Sequence, residues 1–199
     1  KLTKSTTNKH DTSSFIQIEE DYKDYSPIVK TSKDSLKVLF FSDLHIEYCF
    51  IPVSAVISII DDAIANYNID AVIFGGDLCN KPKNVSKAHA YIDTIAEHLK
   101  SKGIPFLGTT GNHDADVDAK LIDVCSFVNL NKTPVIIKNF ELRGIYDSGR
   151  DDRVWEENPF TTHEHTNILV SHNPDWLLYA SECKSLNNID YMLSGHIHG

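Results

Sequence analysis

Five short clusters in this 199-residue chain carry carboxylate, amide or imidazole side chains. They are Asp43-Leu44-His45, Gly75-Gly76-Asp77, Gly111-Asn112-His113-Asp114, Ser171-His172-Asn173-Pro174 and Gly195-His196-Ile197-His198-Gly199. Their oxygens and neutral imidazole nitrogens are the donors that hold small divalent transition metals. Two such ions ~3.5 Å apart repel by on the order of 20 kcal/mol at an effective dielectric of ~20. Asp43 and Asp77 offset much of that repulsion. With one hydroxide added, a single positive charge is left over, which suits a phosphate anion. The chemistry implied is hydrolysis of a phosphate ester at a two-metal centre.

Each cluster follows an apolar run that must position it. Leu36–Phe41, Ala71–Phe74, Ile104–Gly108, Asn167–Val170 and Ile189–Leu193 read as strands ending at the clusters. Between them, Val53–Tyr67 and Val85–Lys100 show apolar residues at helical spacing. Ala115–Phe127 and Trp176–Glu182 are also predicted as helices, the second with Trp176 in the core. Pro134–Ile137 and Phe140–Ile145 lie close enough in sequence for an antiparallel pair, and 147–166 is a polar surface loop. Asp43 and Asp77 are 34 positions apart and Asp77 and Asn112 are 35, each close to one βαβ unit. In such sheets ligands collect beyond the carboxyl ends of the strands, so residues far apart in sequence can converge there.

The bulk properties narrow the classes. Hydrophobic residues make up 41% and charged residues 24%, an ordinary globular balance. A net charge of −9 argues against a dedicated nucleic-acid surface, which would show a basic face. Cys49, Cys79, Cys125 and Cys183 are scattered without a Cys-x-x-Cys pair and read as reduced, buried thiols. No apolar run reaches the length of a membrane span. The chain begins at Lys1 and its only methionine is Met192. The natural chain is therefore expected to start earlier, and a removed signal or anchor would make it exported or membrane-associated rather than cytoplasmic. Residues 1–34 read as a polar extension with an alternating segment, Ser14–Glu19, that could pair as an edge strand; 35–199 is the catalytic domain.

The order of the five clusters, and their placement at strand ends over Leu36–Gly199, resembles the calcineurin-like metallophosphoesterase superfamily. Ser171-His172-Asn173-Pro174-Asp175 and the Gly-His-Ile-His-Gly ending are most similar to the YkuE/YaeI-type bacterial phosphohydrolases. The resemblance implies an α/β fold, a four-layer α/β/β/α sandwich. It assigns Asp43, His45 and His198 to a first metal, Asp77 to both metals, and Asn112, His172 and His196 to a second. It implies Mn²⁺, Fe²⁺ or Zn²⁺ and attack on phosphorus by a metal-bridging hydroxide. His113 would contact phosphate and protonate the leaving oxygen, with Asn112 also touching substrate. The substrate class is a phosphomonoester or phosphodiester of a small or lipid-linked molecule. The alternatives are a nuclease of the Mre11/SbcD group and a non-catalytic scaffold of the Vps29 type. The scaffold class typically loses ligands or the acid histidine, and this chain keeps both.

Two departures stand out. Many relatives place an Asp three positions after the bridging Asp, paired with the acid histidine; here that position is Asn80. Asn80 is expected to orient His113 more weakly, with Asp114 as a compensating carboxylate. A tyrosine at that position, as in purple acid phosphatases, is absent, which argues against a ferric centre. Relatives also continue beyond the final Gly-His-x-His-Gly, so the chain is expected to be truncated at its C-terminus and the first metal site, which uses His198, to be the weaker. His10, His89, His98 and the His163-Glu164-His165 tract read as ordinary surface histidines. Phe160 and Trp155 read as anchors of the 147–166 loop, and Arg150 and Arg153 as the candidates for a further phosphate contact.

Overall fold

A computed structural model describes residues 35–48, 50–117, 125–147, 156–183 and 185–198. Four strands form a parallel sheet in the order β1 (Val38–Phe41), β2 (Ala71–Phe74), β3 (Phe106–Gly108) and β4 (Val128–Asn129). A second sheet runs β5 (Val135–Ile137), β6 (Phe140–Ile145), β7 (Thr166–Ser171) and β8 (Tyr191–Leu193). Its first pair is antiparallel and the other two are parallel.

Alternation along the strands decides what each face covers. In β2, Val72 and Phe74 join Ile60, Ile92, Ile95 and Leu99 of helices α1 (Val53–Tyr67) and α2 (Val85–Ser101) in one core. Ala71 and Ile73 point the other way and meet Leu142, Ile168 and Val170 of the second sheet. In β7 the intervening Leu169 joins Trp176 and Ala180 of helix α4 (Trp176–Glu182) on the outer face. The result is helices, sheet, sheet, helix: the expected four layers. Among the described residues no helix is long and apolar enough to cross a membrane.

Three expectations are corrected. The helix placed at Ala115–Phe127 starts earlier, as α3 (Asn112–Val117), and 118–124 lie outside the described residues. The Phe127 ring instead packs edge-on to Phe106 at 5.3 Å and against the space above Gly108. That contact sets Val128–Asn129 beside β3 as a fourth parallel strand, too short to carry its own sequence pattern. Cys79 and Cys125 are buried thiols outside any disulfide, but Cys183 is exposed. The Ser14–Glu19 segment, Cys49, Arg150, Arg153 and Trp155 lie outside the described residues.

Candidate metal centre

The loops that follow β1, β2, β3, β7 and β8 supply the candidate residues. Their backbone is constrained in an uncommon way. Asp43, His45, Asp77, His196 and His198 all have left-handed backbone, with φ of 56°, 36°, 61°, 71° and 59°. Such conformations cost about 1–3 kcal/mol each and persist only where the surroundings over-determine them. Gly76 has φ 95°, and a Cβ there would stand 2.6 Å from the Gly111 nitrogen. A Cβ on Gly111 would land on the Asp77 carboxylate. The two glycines thus let the β2 and β3 loops touch beneath the site.

Each acidic candidate divides its two oxygens. Asp43 Oδ2 accepts the His196 N–H at 3.0 Å and the Ser42 hydroxyl. Its Oδ1 is buried without a hydrogen-bond partner and lies 3.4 Å from His198 Nε2, 3.8 Å from His45 Nε2 and 3.9 Å from His172 Nε2. Asp77 Oδ1 accepts the His113 N–H at 2.9 Å. Its Oδ2 lies 3.2 Å from His172 Nε2, 3.6 Å from His45 Nε2 and 4.0 Å from His113 Nε2. One oxygen of each carboxylate fixes a loop, and the other faces a ring of imidazole nitrogens.

These atoms fall into groups that could each hold a cation: Asp43, His45 and His198; Asp77, His172 and His196; and His45, Asp77 and His113. An orphaned, buried carboxylate oxygen surrounded by imidazole nitrogens is what a divalent ion would satisfy, so the residues fit the metals that the sequence implies. Asn112 is fully buried at the start of α3, next to His113.

Charge is tuned accordingly. Burial pushes the Asp77 carboxyl up, but the His172 hydrogen bond and charge, with the His113 contacts, outweigh it and hold the pKa below its usual value. Burial opposes charging of His172, yet Asp77, the Gly75 carbonyl and Asp43 together raise its pKa. His172 Nδ1 donates to Gly75 O at 2.8 Å, which leaves Nε2 for the centre.

Two sequence assignments are corrected here. Asn80 does not orient His113: its Nδ2 lies 2.9 Å from His45 Nδ1 and 3.2 Å from Glu47 Oε2. The His113 ring meets His45 edge-on, with centroids 5.1 Å apart. Asp114 does not serve as the compensating carboxylate either. It is fully buried and accepts the N–H groups of Asp77 and Leu78 at 2.8 Å, Gly111 at 3.0 Å and Cys79 at 3.3 Å. Burial and the charge of Asp77 push its pKa up to about 7 against the Gly111, Leu78 and Asp77 donors. Asp114 binds the two loops to each other, beneath the ligands. Sequence reasoning also missed Glu47, whose Oε1 accepts the N–H groups of Asn80 at 2.8 Å and Lys81 at 3.0 Å. Its one signal was position, two residues beyond His45.

A cleft of about 400 Å³ lined by Asp43, His45, Tyr48, Asn80, His113 and His198 opens onto the centre. A larger hollow of about 750 Å³ lies elsewhere, beside Phe106 and Phe127, and has no imidazole in its wall. Of the ordinary histidines, His98 pairs with Asp61 at 2.8 Å and His163 with Asp190 at 2.8 Å, both away from the cleft. Phe160 is buried against α4 as an anchor, with the Arg143 guanidinium 5.7 Å from its ring.

Residues 36–199 match the family described as calcineurin-like phosphoesterase. The chain is 29% identical over 92 residues to the DNA double-strand break repair protein Mre11 of Methanosarcina acetivorans, covering 44% of this chain and 15% of that protein. It is similar to the crystal structure of the Pseudomonas putida nuclease MPE with a TM-score of 0.36 and 21% identity, over 66% of this chain and 59% of that one.

Proposed function

Because the chain belongs to the calcineurin-like phosphoesterase family, we propose that it hydrolyses phosphate esters with two divalent cations bound at this centre. Asp43, His45 and His198 would hold one, Asn112, His172 and His196 the other, and Asp77 would serve both. The observation that carries the reading is the division of oxygens at Asp43 and Asp77: one tied to backbone, the other facing imidazole nitrogens. Mn²⁺, Fe²⁺ and Zn²⁺ all suit such mixed donors. Bound there, they supply Lewis-acid charge and lower the pKa of water.

The chain's own residues do the rest. The backbone tether between His113 N–H and Asp77 holds the His113 ring at the cleft wall, where 23% of its side chain is open to solvent. From there it contacts phosphate and protonates the leaving oxygen, the general-acid work that imidazole side chains perform most often. The substrate we propose is a small or lipid-linked phosphomonoester or phosphodiester. The resemblance to YkuE/YaeI-type phosphohydrolases that supports it rests on Ser171–Asp175 and the Gly-His-Ile-His-Gly ending.

A nuclease is the second reading, favoured by the likeness to Mre11 over 92 residues. The Tyr48 ring on the cleft rim, with the Lys81 ammonium 5.3 Å from its centroid, offers a face on which a base could stack. Metal-dependent turnover of bis-p-nitrophenyl phosphate, falling about 10²–10⁴-fold in His113→Ala, is the expected result. Equal rates in the two proteins would sink the role of His113. Rapid cleavage of single-stranded DNA, with no turnover of small esters, would favour the nuclease.

A further inference from the structure

His45 and His172 present their Nε2 atoms to the same carboxylates, yet they are held from behind in opposite ways. His172 Nδ1 faces a carbonyl, Gly75 O, at 2.8 Å. Only an Nδ1–H can make that bond, so the neutral ring has a bare Nε2. A ligating imidazole keeps its proton on the nitrogen that does not bind metal, and the neutral His172 ring is already in that form.

His45 Nδ1 faces the Asn80 side-chain amide instead, 2.9 Å from Nδ2. The same Nδ2 lies 3.2 Å from Glu47 Oε2. A carboxylate oxygen accepts and never donates, so it requires the nitrogen of the amide on its side. The Glu47 carboxylate is itself fixed, because Oε1 takes the Asn80 and Lys81 N–H groups and the Cys79 thiol at 3.2 Å. The second Nδ2 hydrogen then points at His45 Nδ1, which must accept it. Neutral His45 therefore carries its proton on Nε2, the atom aimed at Asp77 Oδ2, Asp43 Oδ1 and His198 Nε2.

We infer that Glu47 is a positioning residue: through the Asn80 amide it holds His45 as the Nε2–H tautomer and so weakens the Asp43–His45–His198 group for a divalent cation. The inference rests on the metal-centre reading above. For His45 to ligate through Nε2, that nitrogen loses its proton and Nδ1 gains one, with no net change in protonation. The Asn80 amide must then turn over so that Oδ1 accepts from Nδ1–H. That rotation sets Oδ1 against Glu47 Oε2, two acceptors face to face. His172 meets no such obstacle at Nδ1, and the Asp77–His172–His196 group fills first.

Glutamine at position 47 resolves the conflict. Its Oε1 still accepts the two backbone N–H groups, while its amide nitrogen donates to Asn80 Oδ1. Long-range ¹H–¹⁵N NMR of the metal-free protein at pH 8 reads each imidazole tautomer directly, with His45 assigned by its loss in His45→Gln. The wild type should show Nε2–H at His45 and Nδ1–H at His172, and Glu47→Gln should convert His45 to Nδ1–H. Mn²⁺ titration should then show the weaker of two affinities tightening about tenfold in Glu47→Gln, the scale on which such supporting partners act. Asn80→Asp, whose side chain can only accept, should produce the same tautomer change and serves if Glu47→Gln fails to fold. An Nδ1–H His45 in the wild type, an unchanged tautomer in both variants, or an unchanged or weaker Mn²⁺ affinity would overturn the inference. A wild type that shows the expected tautomers but binds no Mn²⁺ would instead overturn the metal-centre reading.

Discussion

Asp114 shows how far the chemistry of this centre depends on a residue that never faces it. Its carboxylate gathers four backbone N–H groups from the loops that carry Asp77 and Asn112. Asparagine would turn an NH₂ group toward donors, leaving buried N–H groups unmatched. Asp114→Asn should therefore cost about 2–3 kcal/mol, a fall of roughly 4–12 °C in melting temperature for a domain of this size. Thermal unfolding of the metal-free protein checks it, and a fall under 2 °C would contradict the role. At this scale the sequence was informative about residue type and less so about partners. Asp43, His45, Asp77, His172, His196 and His198 are brought together as their types and order suggested. Asn80 was assigned to the wrong imidazole, because a spacing of three from Asp77 does not say which ring the loop curls toward. The left-handed backbone at five of the ligands left no trace in the sequence, since none of them is glycine.

Among the elements, the loop after β1 and the loop after β2 are stitched by Glu47. Burial pushes its carboxyl up, but hydrogen bonds from the Asn84 side chain, the Asn80 N–H, the Cys79 thiol and its own backbone prevail and hold the pKa at about 2, against 4.5. A depressed carboxyl pKa stabilises the fold fully above the unfolded value, and that contribution is lost as pH falls from 4.5 toward 2. The metal-free wild type should accordingly unfold at a higher temperature than Glu47→Gln at pH 7, with the gap closing across that window. A gap that stays constant with pH would contradict the stitch. Helices α1 and α4 and strand β2 have the bounds that apolar spacing indicates, because each carries a full period of buried residues. Strand β4 and the start of α3 do not. A two-residue strand has no period to read, and Asn112-His113 combine ligand chemistry with a helical turn that their residue types do not signal.

Over the whole molecule, the candidate ligands come from both sheets. Asp43 and Asp77 follow β1 and β2, while His172 and His196 follow β7 and β8. Cations bound between them would clamp the two layers, so Mn²⁺ should raise the melting temperature and a chelator should reverse it. Stabilisation of about 2.7 kcal/mol per site is expected at a hundredfold excess over Kd. The two sites should differ, since the His198 side chain is 58% exposed and the His172 side chain is fully buried. Calorimetric titration should resolve a tighter and a weaker ion, with His198→Ala removing the weaker; loss of the tighter ion in that variant would reverse the assignment.

The central claim is that two cations at this centre enable phosphate-ester hydrolysis. The most direct test follows turnover of bis-p-nitrophenyl phosphate while the metal-free protein is titrated with Mn²⁺. The account predicts little activity at one equivalent bound and a steep rise as the second is taken up, both abolished in Asp77→Asn. Full activity at a single equivalent, or turnover in Asp77→Asn equal to that of the wild type, would contradict it.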